Sequence, residues 1–126
     1  MHPHILILDD EERIRDLLAQ YLDDFDEFVV RGAESGEQAL GMLREQPADV
    51  AVVDMRLPGM SGAQFIRQAR SLGLCRRFLV HTGSVDIMLS DELKELGLVR
   101  RDLFFKPAGA DDILARIREL LPEAGV

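Results

Sequence analysis

Four short apolar runs punctuate the chain: Ile5-Leu6-Ile7-Leu8, Val50-Ala51-Val52-Val53, Phe78-Leu79-Val80 and Leu103-Phe104-Phe105. All four are continuous rather than alternating. A strand with one wet face alternates apolar and polar residues, whereas a strand covered on both faces has no reason to. Runs of this kind therefore predict the inner strands of a parallel sheet. Phe28-Val29-Val30 is a weaker run and predicts an outer strand. Between the runs, apolar residues recur at helical spacing. Ile14, Leu17, Leu18, Tyr21 and Leu22 predict a first helix. Ser35, with Gln38 three positions on, reads as a capping box opening a helix that carries Ala39, Leu40 and Leu43. Phe65, Ile66, Ala69 and Leu72 predict a third helix, stopped at Gly73. Ile87, Met88, Leu93 and Leu96 predict a fourth, ending at Gly97. Ile113, Leu114, Ile117, Leu120 and Leu121 predict a last one, closed by Pro122.

Strand followed by helix, five times over, implies right-handed crossovers and an open, doubly wound parallel sheet with helices on both faces. The 126 residues suit one α/β domain, assigned to residues 1–122, with 123–126 as a tail or the start of a linker. Strand order 2-1-3-4-5 would open a crevice between the first and third strands. Ligands of such sheets bind there, beyond the carboxyl ends of the strands.

The residues that follow each run carry the chemistry. Asp9 and Asp10 follow the first run, Asp54 the second, Thr82 closely follows the third, and Lys106-Pro107 follow the last. In a parallel sheet these ends share one rim, so three carboxylates, a hydroxyl and an ammonium converge. Two carboxylates ~4 Å apart repel by roughly 4 kcal/mol at an effective dielectric of about 20. Three beside one lysine demand either a raised pKa or a bound cation. An all-oxygen site open to water suits Mg²⁺, which recruits phosphate oxygens and steadies the charge of a transferring phosphoryl group.

With these residues in place, the chain resembles the CheY-like receiver domain of two-component response regulators. The likeness rests on Asp9-Asp10-Glu11, on the segment from Asp54 through Met55-Arg56-Leu57-Pro58-Gly59-Met60-Ser61-Gly62, on Thr82-Gly83, and on Phe105-Lys106-Pro107. It implies a flavodoxin-like fold with strand order 2-1-3-4-5. It implies that Asp54 is the phosphoacceptor, that Asp10 and Asp54 bind Mg²⁺ directly, and that Asp9 acts mainly through water. It further implies that the backbone carbonyl of Arg56 is a metal ligand and that Lys106 contacts the phosphoryl group. Thr82 would turn toward the phosphate and reorganise the surface around the fourth helix and fifth strand. The Lys106–Pro107 bond is expected to be cis. The implied partners are a histidine kinase or histidine phosphotransfer protein and a downstream protein or output domain, with a phosphorylation-dependent homodimer as a further option. Such a domain is a signalling protein with self-catalysed phosphoryl transfer and dephosphorylation, not an enzyme. Leu103 stands where the family commonly has Tyr or Phe, Ala108 where a larger apolar residue is common, and Gly83 where Ala is frequent. Switching here is therefore expected to rest on Thr82 and loop movement.

Composition narrows the alternatives. The formal net charge is -8, without the dense basic footprint that tracking nucleic acid requires. No run approaches the ~20 apolar residues of a membrane span. Cys75 is the only cysteine and cannot form an internal disulfide. A cytoplasmic setting is expected. Read singly, each candidate has a plainer role. Asp9 and Asp10 could cap the first helix, Asp54 could be a turn acid, Lys106 a solvated lysine, and Thr82 a strand-end hydroxyl. Glu11 and Glu12 match the helix dipole better than they match a ligand role. His81 reads as a hydrogen-bonded core residue, His2 and His4 as terminal, and Arg100 and Arg101 as a solvated turn. Arg56 and Ser84, two residues past Asp54 and Thr82, are expected to tune hydrolysis of the phosphate. Three rival readings stand. A haloacid-dehalogenase-type phosphohydrolase would carry its nucleophile after the first strand, with a second Asp two residues on. A flavin site would need a loop that attracts phosphate, and Asp9-Asp10-Glu11-Glu12 repels it. A phosphorylation-independent interaction module would leave the acidic cluster without a use.

Overall fold

In the computed structural model, residues 2–83 and 91–121 are described. The expected roles of Ser84, Ile87, Met88, Pro122 and the 123–126 tail lie outside them. The elements alternate as β1 (His4–Leu8), α1 (Glu12–Asp23), β2 (Val29–Ala33), α2 (Gly36–Glu45), β3 (Ala48–Val53), α3 (Gly62–Ser71), β4 (Cys75–Thr82), α4 (Asp91–Glu95), β5 (Leu103–Phe105) and α5 (Ala110–Leu120). A short 3₁₀ turn, Arg100–Asp102, leads into β5. The five strands form one parallel sheet in the order β2-β1-β3-β4-β5.

Continuous apolar runs serve two cores at once. Side chains alternate across a strand, so Ile5 and Ile7 of β1, Val50 and Val52 of β3 and Leu79 of β4 pack with Leu18, Leu22, Ile113 and Ile117 of α1 and α5. Their neighbours Leu6, Leu8, Ala51, Val53, Phe78 and Val80 pack on the other face with Leu40, Leu43, Phe65 and Ile66 of α2 and α3, and with Leu93 of α4. β2 is the outer strand, and Val29 there is 40% exposed. β4 begins at Cys75, earlier than its apolar run. Register starts at Val80↔Leu103, so the stretch from Cys75 to Leu79 runs on below the short β5. Arg76 and Arg77 are exposed there. Cys75 is buried, and burial pushes its thiol up to about 12, which makes it inert.

Several local expectations are modified. Leu17, at 59% exposed, and Leu72, at 54%, lie outside the core. Leu72 is the C-cap of α3, after which Gly73 takes a positive φ of 69°. At α2, Ser35 does accept the Gln38 N–H, but the Gln38 side chain accepts from the Glu34 N–H, so the reciprocal arm lands one residue early. A full capping box forms at α3 instead, between Ser61 and Gln64. His4 belongs to β1, and its N–H donates to Asp49. Arg100 and Arg101 lie exposed in the 3₁₀ turn, as expected, and Arg101 Nη2 donates to both Glu119 carboxylate oxygens at 2.6 and 2.7 Å.

Candidate phosphoryl-transfer and metal site

Asp9, Asp54 and Lys106 are each the first residue past a strand end, and the ladder still holds them. The Asp9 N–H donates to the Ala33 carbonyl at 3.1 Å, Asp54 to Leu8 at 2.9 Å, and Lys106 to Thr82 at 2.8 Å. One further rung of each ladder thus carries a functional side chain to the rim. The Lys106–Pro107 bond is cis, as the resemblance implied. Behind the Asp54 loop, Gly62 opens α3 with its N–H on the Met55 carbonyl at 3.1 Å. A Cβ at Gly62 would stand 2.4 Å from the Asp54 carbonyl oxygen and 2.7 Å from the Met55 Cα. Glycine is what lets the helix start against that backbone.

The Lys106 ammonium lies inside the acidic ring. Its Nζ is 2.9 Å from Asp9 Oδ2, 2.9 Å from Glu11 Oε1 and 3.1 Å from Asp54 Oδ2. The Asp9 and Asp54 side chains are almost fully buried, at 3% and 6% exposed, and that of Glu11 is open at 56%. Asp9 Oδ1 accepts the Glu11 N–H, and Asp54 Oδ1 accepts the Arg56 N–H. Asp9, Asp10, Glu11 and Asp54 each place a carboxylate oxygen within 4.8 Å of the others. Three carboxylates therefore contact one ammonium, and a fourth, that of Asp10, belongs to the same cluster. Burial pushes the Asp9 carboxyl up, and the bonds from Lys106 and the Glu11 N–H only partly offset this. Burial alone would lower the Lys106 ammonium, but its bonds to Asp9, Glu11 and Asp54 outweigh that and hold it well above its usual range. The site is short of positive charge. An all-oxygen donor set of this size at a half-open rim fits a hard divalent cation such as Mg²⁺.

The structure thus brings together Asp9, Asp10, Asp54 and Lys106. Thr82 is buried at the end of β4, next to them along the rim. Arg56 occupies the loop immediately past Asp54. Glu11 joins the site, although its sequence position suggested only a helix-dipole role. The signal lay in four consecutive acids after a strand: the third, Glu11, sits at the helix N-cap, where its side chain makes no cap bond and can reach across to Lys106.

His81 departs from expectation. It is 7% exposed, and its Nε2 has no hydrogen-bond partner. It lines a groove of about 390 Å³ between α1 and the β5–α5 connection, together with Leu17, Tyr21, Lys106 and Pro107. Burial pushes its pKa down, and Lys106 adds to this, while Asp54 and Glu11 oppose it. The unfolded chain can therefore take up a proton near pH 6.5 that the fold refuses. Stability from this group is full above that pH and falls as the pH drops below it. Wild type is expected to lose up to about 1 kcal/mol more than His81→Leu between pH 7 and pH 5.5, measured by denaturant titration. Parallel slopes would refute this assignment.

Comparison with known proteins places this architecture. The profile of the family described as response regulator receiver domain matches residues 5–118. The chain belongs to that family, the receiver domains of two-component systems. Sporulation initiation phosphotransferase F of Bacillus subtilis (strain 168) is 30% identical over 122 residues, spanning 97% of this chain and 96% of its own length. Response regulator MprA of Mycobacterium ulcerans is 32% identical over 121 residues, spanning 96% of this chain and 51% of its own. The chain is thus about half the length of that relative. In fold, it matches the chemotaxis response regulator CheY4 of Vibrio cholerae with a TM-score of 0.82 at 24% identity, over 96% of this chain and 100% of that one. Among the described residues, no helix is long and apolar enough to cross a membrane.

Proposed function

We propose that Asp54 is the phosphoacceptor of a two-component relay and that its modification switches a partner-binding surface. The observation that carries this reading is the Lys106 ammonium, held 2.9 Å from Asp9 and 3.1 Å from Asp54 at a cluster of four carboxylates. That arrangement presents a buried nucleophilic oxygen beside a fixed cation. Membership of the receiver family supports it, and so does the likeness to a Bacillus protein named as a phosphotransferase. The donor is a phosphohistidine of a histidine kinase or phosphotransfer protein. An Asp54 Oδ attacks phosphorus, a P–O bond forms as the P–N bond breaks, and the departing imidazole takes up a proton. Asp9, Asp10, Asp54 and the Arg56 carbonyl would hold Mg²⁺, which when bound screens the incoming anion and stabilises its charge. Lys106 orients the phosphoryl oxygens, and Thr82 receives one of them after transfer. Leu103, half-buried beside the α2–α3 core, cannot supply an aromatic swing, so the readout falls to Thr82 and its loop. The domain acts once per signal, as a switch rather than a turnover enzyme.

Intact mass tests this directly. Incubation with a small acyl phosphate and Mg²⁺ is expected to add one phosphoryl group, at Asp54, and a chelator is expected to abolish the addition. An unmodified protein under these conditions, or modification that persists in Asp54→Asn, would overturn the reading.

A further inference from the structure

Three carboxylate oxygens crowd the Lys106 ammonium: it donates to Glu11 Oε1 and Asp54 Oδ2 and is ion-paired with Asp9 Oδ2 at 2.9 Å. If Lys106 is to contact an incoming phosphoryl oxygen, one of these partners must let go. Asp9 and Asp54 are buried and held by their backbone neighbours, since Asp9 Oδ1 takes the Glu11 N–H and Asp54 Oδ1 takes the Arg56 N–H. Glu11 differs. Its backbone is pinned at both ends, by its N–H on Asp9 and by its carbonyl accepting the Arg15 N–H at 2.9 Å. Its side chain makes no helix-cap bond and is more than half exposed. A carboxylate on a fixed backbone with a free, wet arm can leave and return without disturbing the fold.

We propose that Glu11 is the exchangeable partner of Lys106: it occupies the ammonium in the unmodified protein and yields that place to a phosphoryl oxygen. This rests on the Asp54 phosphorylation reading above. The swap replaces one anion with another, so Lys106 remains paired throughout. Glu11 is then a positioning residue acting through Lys106. It slows arrival of the phosphoryl group by competing for the donor. It also shortens the life of the acyl phosphate by competing to return. Because Glu11 is half-exposed, both effects weaken as salt rises.

The test compares wild type, Glu11→Gln, Lys106→Met and the double variant, each as the full chain, with a small acyl phosphate and Mg²⁺. Glu11→Gln is expected to be modified about two- to fivefold faster at low salt and to lose the phosphoryl group more slowly, as suits one exposed ion pair. In the Lys106→Met background the same substitution is expected to change neither rate. A direct readout comes from ¹⁵N signals of lysine Nζ, since the chain has two lysines, Lys94 and Lys106. Glu11→Gln should shift the Lys106 signal in the unmodified protein and leave Lys94 in place. Identical rates in wild type and Glu11→Gln would overturn the proposal. So would an equal acceleration in the Lys106→Met background, because Glu11 would then act on the donor rather than on Lys106. A wild type that acquires no phosphoryl mass overturns the Asp54 reading instead, which separates the two failures.

Discussion

Replacing Lys106 with Met is expected to cut the rate of Asp54 modification by a factor of about a hundred or more. The side chain keeps its apolar stem and loses the ammonium. Removing one pre-placed charge or donor from a transferring group commonly costs about 10²–10³ in rate. Lys106 is well placed for such a role, because its ammonium already points at Asp54 before any phosphate arrives. The same substitution should also weaken the fold. Asp9 and Asp54 would remain buried beside Glu11 without a counter-charge, and breaking a buried pair from one side costs about 3 kcal/mol or more. Part of that cost is expected to return when millimolar Mg²⁺ is added, because a divalent cation would neutralise the same carboxylates. Rate by intact mass and stability by denaturant titration, with and without Mg²⁺, check both halves. A Lys106→Met protein as stable as wild type in chelator would show that the ion pairs carry no net stabilisation.

The second large effect lies behind the site. Gly62→Ala places a methyl group 2.4 Å from the Asp54 carbonyl oxygen and 2.7 Å from the Met55 Cα, and both obstacles are backbone. No side chain can rotate away to relieve the clash. Overpacking of well-packed interiors typically costs about 1–3 kcal/mol, and a backbone collision belongs at the upper end or beyond. The structure can escape only by moving the start of α3 or the Asp54–Met55 segment. Loss of about 3 kcal/mol in denaturant titration is therefore expected, together with a slower modification of Asp54 in the fraction that remains folded. Gly41, which meets nothing within 4 Å at the same added Cβ, is the control and should tolerate Ala. Equal stability of the two variants would remove Gly62 from the account of the site.

Much of this was legible in the chain itself. Continuous runs such as Ile5-Leu6-Ile7-Leu8 announce strands with two dry faces, because each residue in them has a helix to meet. Site residues stood out because parallel strands end on one rim, so that position after a run is enough to group Asp9, Asp54, Thr82 and Lys106. What was not legible depends on distances that periodicity does not encode. Leu17 fits the helical stripe of α1, yet only Leu18 and Leu22 of that stripe are fully buried, since a packed helix buries a narrower band than its apolar residues mark out. Glu11 needed the reach of a side chain across from α1 to β5. Whether His81 finds a hydrogen bond depends on neighbours from α1 and the β5–α5 connection, and the sequence does not specify their approach. The early start of β4 was hidden because Arg76-Arg77 reads as polar loop, although a strand that outruns its neighbour can carry charges.

That outrunning stretch has a bearing on solubility. From Cys75 to Leu79 the sheet has no β5 beside it, and such a border invites a foreign strand to dock. Its guardians are a pair of guanidinium groups. Two copies approaching border to border would press their Arg76-Arg77 pairs against each other, so this stretch of β4 resists self-adhesion.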